Sequence, residues 1–466
     1  MAFTVGIDSS TQSTKALVVE AETGRVVAEG RAAHPDATEV DPAVWLAACR
    51  DALAEATAGL PGPVTALSVG GQQHGLVTVD AEGAPVRPAL LWNDLRSAGE
   101  AAELVRELGG PGEWARRTGS VPGASFTVTK LAWLARHEPA NADRVAGVLL
   151  PHDWLTHQLA EPGHAPATDR GDASGTGYFD PATGDWLPDL LTAAFGRVPE
   201  LPTVLGPAGS AGRTPAGWLL GAGTGDNMAA ALGLGTGPGD VIVSLGTSGT
   251  VFAVAEHPTA DPTGAVAGFC DATGRYLPLV CTLNAARVLT ATAQLLGVEL
   301  AELDRLALAA APGAGGLVLL PYLDGERTPD LPAASGTLTG MRRANMTPEN
   351  LARAAVEGML CGLADGLSAL RAQGVEVRRV LLVGGAARSA AVRAVAPGLF
   401  AAPVEAPEPA EYVALGAARQ AAWAVSGSAE PPSWTVRAEP CPSANLDAYA
   451  EVRAAYSAAR GQVHDY

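Results

Sequence analysis

The sequence predicts an α/β protein built from two related halves. Three observations carry that reading. Strand-like apolar runs alternate with segments of helical spacing along most of the 466 residues. Many of those runs end in loops rich in glycine, hydroxyls and amides, which is where open α/β sheets bind ligands. The opening hairpin, "VGIDSSTQSTKALVV", also returns in the second half as "VIVSLGTSGTVFAV".

In the first hairpin, Val5-Gly6-Ile7 and Ala16-Leu17-Val18-Val19 flank a polar loop. The loop opens with Asp8 and continues with hydroxyls at Ser9, Ser10, Thr11, Ser13 and Thr14. A turn at "AETGR" and a strand at "VVAEG" extend it into a meander. "DPAVWLAACRDALAEATAGL" has helical spacing, with Val44, Leu46, Ala47, Leu53 and Ala54 expected on its buried side. "VTALSVGGQQHG", "ALLWND" and "VAGVLLPHDW" read as strands that end in polar loops.

The second hairpin starts near "GPGD", so a boundary is placed between residues 238 and 243. Setting Thr11 on Thr247 without a gap matches Asp8 to Ser244, Ser10 to Gly246, Ser13 to Gly249 and Thr14 to Thr250. Farther on, Thr347 suits a helix N-cap and Pro348 the first helical position. Met359, Leu360, Leu363, Leu367 and Leu370 form its buried stripe, and Gly374 ends it. "RRVLLVGGAARS" follows as a buried strand running into a Gly-Gly turn. The expected domains are 1–240 and 241–425, with 426–466 as a loosely packed C-terminal appendage containing "SGSAEPPSW".

Composition removes several functions. A formal net charge of −18 argues against a nucleic-acid backbone or an anionic membrane as partner. It leaves room for a nucleotide, because backbone N–H groups and a metal ion can hold phosphates. No apolar run approaches the roughly 20 residues that a bilayer requires. "MAFTVGID" enters a strand with no basic lead, so a secretory signal is not expected and a cytoplasmic protein is. The five cysteines are scattered without a CxxC, which suits reduced core thiols rather than a zinc site. There is no GxxxxGK[ST], and Lys15 and Lys130 are the only lysines. "GAGTGDN" and "GLGTGPG" do not fit GxGxxG, so a Rossmann dinucleotide site is not supported.

Four constellations remain. Each hairpin alone reads as a plain turn; as a matched pair they read as two phosphate clamps. Only the first holds an acid, Asp8, and one carboxylate facing two clamps suits Mg²⁺, which takes few protein oxygens and several waters. Asp226, after the glycines of "GAGTGDN", reads equally as a helix N-cap or as a general base toward a substrate hydroxyl. Gln73, His74, Asn93 and Asp94, with Trp92 as an aromatic plane, suit a polyol site. The Gly384-Gly385 turn would let the backbone approach a flat base. Glu326 and Arg327 read as a structural ion pair.

"GIDSSTQSTK", "GQQHG", "LLWNDLR", "GTGDN", "SLGTSGT", "PYLDGERTP", "GGAARS" and "ALGAAR" together resemble the FGGY carbohydrate kinases, in order, over residues 3–425. The resemblance implies two actin/hexokinase-like (ribonuclease H-like) ATPase domains with a cleft between them. It implies ATP and Mg²⁺ as cofactors and a ketose as substrate, and it allows a homodimer. The "QQHG" and "WND" segments are similar to the branch acting on D-xylulose, phosphorylated at its 5-hydroxyl. Glycerol-specific members carry an Arg-Glu pair after the glutamine and a Gln before the aspartate.

Carried over residue by residue, Asp226 becomes the proton acceptor and a second group facing the metal. Asn227, Gln73 and His74 contact the ketose, beside Trp92, Asn93 and Asp94. Asp8 faces Mg²⁺ through water. Thr11, Gly246 and Thr247 lie by the phosphates, and Gly384, Gly385 and Ser389 by the nucleotide. Ser10 departs from the glycine of many relatives, and "GGA" stands for their "GGG". The competing readings are a kinase of another polyol, such as ribulose or gluconate, and a non-catalytic actin-like protein that binds sugar and ATP.

Overall fold

The computed structural model of the chain describes residues 2–464. It divides into two compact units that interleave along the sequence. One comprises residues up to Thr236, 256–277 and 410–435; the other comprises 237–255, 278–409 and residues from Val436 onward.

The sheet of the first unit runs in the order Ser210–Arg213, Leu219–Gly221, Val64–Gly71, Phe3–Ser9, Ser13–Glu20, Val26–Ala33. Phe3–Ser9 pairs antiparallel with Ser13–Glu20 and parallel with Val64–Gly71. Both hairpin strands are buried along almost their whole length, which is why they read as unbroken apolar runs. The short strand Thr224–Gly225 pairs with Gly70 and Gly71, bringing the ends of two loops side by side. The helix Asp226–Leu234 packs on Tyr412–Ser426, where Arg419 donates to the carbonyl of Leu232 at 2.7 Å. That bond satisfies a carbonyl at the end of the helix carrying Asp226.

The face that the helix Pro42–Thr57 buries is rotated from the one expected. Trp45, Ala48, Cys49, Ala52 and Ala56 are fully inside; Val44, Leu46 and Leu53 are half-buried against the same core, and Ala47 and Ala54 are exposed. Small residues on that face let the helix lie close to strand Val26–Ala33: a methyl added to Gly30 would stand 2.2 Å from the carbonyl oxygen of Ala52. Close approach and the bulk of Trp45 set the face here, against simple apolar spacing.

The second unit repeats the plan. Asp240–Leu245 pairs antiparallel with Gly249–Ala253 and parallel with Arg379–Val383. The sheet continues through Val404–Pro407 to Ala438–Pro440. The helix Pro348–Ala372 is capped by Thr347, whose side chain accepts from the Asn350 N–H. Its stripe Met359, Leu360, Leu363, Leu367 and Leu370 is wholly buried. Gln373 caps the other end and Gly374 follows at φ +81°.

The residues after 425 are divided between the units at Thr435, and although much of 425–447 is exposed, Trp434 is buried and the last helix is packed in. The last helix, Leu446–His464, buries Tyr449, Val452, Tyr456 and Ala459. Within the second unit the Tyr456 and Tyr322 hydroxyls meet at 3.1 Å, and Arg353 donates to the Tyr449 hydroxyl at 2.6 Å.

Candidate active site

The two hairpins are not residue-for-residue copies. In the first, the last paired residues are Ser9 and Thr14, enclosing residues 10–13; in the second they are Leu245 and Gly249, enclosing 246–248. The second loop is therefore one residue shorter. The ungapped match of Ser13 to Gly249 and Thr14 to Thr250 is off by one, because hydroxyls on both sides of each loop hide the missing residue. In strand register, Asp8 faces Lys15 where Ser244 faces Thr250.

Asp8 is 2% exposed. Its carboxylate accepts from Ser10 Oγ at 2.5 Å and lies 3.4 Å from Lys15 Nζ, which also meets Glu411 at 2.6 Å. Burial raises the Asp8 pKa, with Lys15 and Ser10 opposing. The Ser10 side chain thus serves the acid. Thr14 bonds His34 at 2.9 Å, and Thr11 Oγ1 accepts from the indole N–H of Trp92 at 2.9 Å. Accepting that bond leaves the Thr11 hydroxyl its own proton to donate.

Asp226 does not cap its helix. Gly225 occupies the N-cap position and Asp226 the first turn. Its Oδ1 accepts from both the backbone and side-chain N–H of Asn227 at 2.8 Å. Removal from water pushes its pKa up to about 7, and the negative charge of Asp8 adds to the rise. Asn227 Nδ2 also reaches Gln73 Oε1 at 3.5 Å. Gln73 and Gly225 lie against each other: a methyl on Gly225 would stand 2.7 Å from Gln73 Cγ. The buried Gln73 Nε2 has no protein partner.

His74 adopts φ +66°, held by Nδ1 against the Gly175 carbonyl at 2.6 Å and by ring contacts with Phe126 and Phe269. Donation from Nδ1 leaves Nε2 as the acceptor. Gln73, His74, Asp226 and Asn227 therefore form one group with Asp8 in electrostatic reach. Trp92 joins the first hairpin through Thr11. Asn93 keeps a buried Oδ1 with no protein partner. Asp94 is engaged elsewhere: it accepts from Thr38 at 3.0 Å and from the Arg96 backbone and guanidinium at 2.8–3.0 Å. Its pKa is lowered by those bonds against the opposing effect of burial.

Of the seven residues expected around the nucleotide and its metal, Asp8 and Thr11 lie in the first unit, and four line one pocket of the second. It measures about 540 Å³ and includes Gly246, Thr247, Gly385 and Ser389, with Leu289, Leu300 and Leu303 as apolar walls. Gly384 lies just behind Gly385, at φ +91°, and a methyl there would come within 2.8 Å of the Leu245 backbone. Only glycine fits that turn. Asp304, missed in the sequence, lines the same pocket, accepting from Ser389 Oγ at 2.5 Å and from the Ala390 N–H at 2.9 Å.

Lys15 was also missed as a site residue, although a lysine directly after the hydroxyl loop, one of two in the chain, was visible. Glu326 does hold its loop, accepting from the backbone N–H of Leu283 and Arg327 and from Asn284 Nδ2. None of the five cysteines is in a disulfide. Among the described residues no helix is long and apolar enough to cross a membrane.

Residues 3–233 match the N-terminal domain, and residues 241–425 the C-terminal domain, of the FGGY family of carbohydrate kinases. A xylulose kinase of Streptomyces coelicolor is 49% identical over 436 residues, covering 91% of this chain and 88% of the relative. One from Streptomyces rubiginosus is 48% identical with the same coverage. The crystal structure of xylulose kinase from Bifidobacterium adolescentis superposes with a TM-score of 0.90 at 44% identity, covering 99% of both chains. The fold is the actin/hexokinase-like one, and the chain belongs to the FGGY family of carbohydrate kinases.

Proposed function

We propose that the chain transfers the γ-phosphoryl group of ATP to the 5-hydroxyl of D-xylulose, with Asp226 as the general base. As a carbohydrate kinase it is a phosphotransferase that uses ATP. The observation that carries the proposal is Asp226 itself. It is a carboxylate raised to about 7, fixed by Asn227 at the start of a helix and adjoining the amide of Gln73. A base with a pKa near the working pH combines a useful ionised fraction with real proton affinity.

The ketose binds against Gln73, His74 and Asn227. Unpaired amide atoms at Gln73 and Asn93 supply hydrogen bonds that a polyol returns. Asp94 supports this wall by fixing Arg96 and Thr38. Asp226 accepts the proton of the attacking hydroxyl while the Thr11 hydroxyl donates to phosphate. In the second unit the Gly246–Thr247 loop faces the phosphates. Gly384, Gly385 and Ser389 line the nucleotide's place, with Asp304 fixing the Ser389 hydroxyl.

Mg²⁺ fits this donor set. Among the described residues no three His, Cys, Asp or Glu side chains gather into a metal nest. Asp8, with Asp226, provides the sparse carboxylates that Mg²⁺ takes beside water and phosphate oxygens. Asp8, already bound to Ser10 and Lys15, would hold the ion through water. When bound, the ion neutralises charge on the phosphate oxygens. Five cysteines outside any disulfide fit a reducing cytoplasm.

The test is a coupled ADP-release assay over a panel of ketoses and polyols, with and without EDTA. D-xylulose gives the highest kcat/KM, and EDTA abolishes turnover. A higher value for ribulose, gluconate or glycerol would overturn the substrate, and no sugar-stimulated ADP release would overturn the activity.

A further inference from the structure

The first unit holds a buried charge cluster that the reaction does not touch. His152, Asp153 and Asp172 are 0% exposed and Asp169 is 3% exposed. His152 Nδ1 meets Asp172 Oδ2 at 2.6 Å, and Nε2 lies 3.2 Å from Asp153 Oδ1. One imidazole thus faces two carboxylates, with a third close by. Burial pushes the Asp153 carboxyl up to about 7 and that of Asp172 up to about 6, with the His152 ring opposing in both, so a charged ring is what favours their ionised forms. The ring's pKa is pushed up to about 9: burial opposes the proton, and Asp153, Asp172 and Asp169 outweigh it.

The cluster sits behind the two strand ends that carry the site. A methyl on Gly71 would come within 2.8 Å of His152 Cβ, and one on Gly223 within 2.3 Å of His152 Cδ2. Gly71 lies two residues before Gln73, and Gly223 three before Asp226. A second route runs through hydrogen bonds. Asp169 accepts from the Asp172 N–H at 2.9 Å and from Thr224 Oγ1 at 2.7 Å, and Thr224 lies two residues before Asp226. The carbonyl of Gly223 is held in addition by Gln420 at 3.1 Å.

We propose that His152 is a positioning residue for the phosphoryl transfer. Its buried imidazolium, hydrogen-bonded to Asp172 and in ion-pair range of Asp153, fixes the adjoining strand ends that present Gln73 and Asp226. This rests on the reading of Asp226 as base. The chain of contacts is specific: the ring sets Asp172, Asp172 adjoins Asp169, and Asp169 anchors Thr224. A displacement of about 1 Å in a reacting group costs on the order of 10²-fold in rate.

The test is steady-state kinetics with D-xylulose and ATP on full-length His152→Gln and His152→Lys, with Asp226→Asn as control and circular dichroism to check folding. His152→Gln lowers kcat on the order of 10²-fold while KM for ATP stays within about twofold. His152→Lys, which restores a cation, recovers most of that loss. Wild-type kcat in His152→Gln, or a Lys variant no better than the Gln variant, overturns the inference. Should His152→Gln fail to fold, Asp172→Asn removes the charge contact while keeping the ring, with the same expected loss and the same overturning result. If Asp226→Asn turns over normally, the reading of the base fails and this inference with it. If Asp226→Asn is inactive and His152→Gln is unaffected, only the role of His152 fails.

Discussion

In the hairpin of Phe3–Ser9 and Ser13–Glu20, a buried aspartate faces a lysine across the ladder; in that of Asp240–Leu245 and Gly249–Ala253, the same register holds Ser244 and Thr250. Around the first loop, side chains bond to side chains: Ser10 to Asp8, Thr11 to Trp92, Thr14 to His34. Around the second, the pocket sets Gly246, Thr247, Gly385 and Ser389 against leucine walls, with Gly384 pressed on the Leu245 backbone. The same backbone plan serves two ends. One hairpin positions charge, and the other borders an open pocket that suits the flat ligand and phosphates proposed above. The difference comes from one cross-strand pair and one deleted loop residue.

The comparison breaks first at Asp8. Asp8→Asn should lower kcat by about 10²–10³-fold, and Ser244→Asp added to it should restore nothing, because the second hairpin lacks the lysine and the burial. The pH profile sharpens the point. Asp226 acts only after losing its proton, so wild-type kcat/KM rises with pH through about 7. Removing the negative charge of Asp8 favours the Asp226 carboxylate, so the residual activity of Asp8→Asn rises at lower pH. An unmoved limb would show that Asp8 and Asp226 are not coupled.

Lys15→Met leaves Asp8 buried with its cation gone. Lys15 is partly exposed, which moderates the loss to about 2 kcal/mol in denaturant unfolding. Thr250→Val, its register counterpart, costs under about 0.5 kcal/mol. Equal losses would mean the cross-strand charge adds nothing. The smallest effect is at the glycines. Gly384→Ala should weaken ATP binding about tenfold, or roughly 1.4 kcal/mol, with ketose binding unchanged. Gly246→Ala is tolerated, since its added methyl meets nothing closer than 3.4 Å. Titration of each variant with ATP checks both.

Contiguous features were legible in the sequence. "GQQHG" and "GTGDN" each bring strand end, glycine and polar group together within a few residues, and the structure joins Gln73 to Asn227. The stripe of Pro348–Ala372 was legible because leucines at helical spacing leave one face to bury. What depends on distant partners was hidden. Lys15 meets Glu411, 396 positions away, and His152 meets Asp172, 20 away. The fold alone brings these together. Asp94 could have been read otherwise: an arginine two residues on, in "NDLR", offers the ion pair that now engages it. The final helix escaped notice because prolines and serines before it masked Tyr449 and Tyr456, seven residues apart on one face.

The central claim is that Asp226 is the base of a D-xylulose kinase. The most direct measurement is sugar-dependent ADP release by Asp226→Asn, with D-xylulose affinity measured by calorimetry on the same preparation. The account predicts ketose binding within a few-fold of wild type and kcat reduced on the order of 10²–10⁴-fold. Turnover near wild type in that variant, with binding intact, would contradict it.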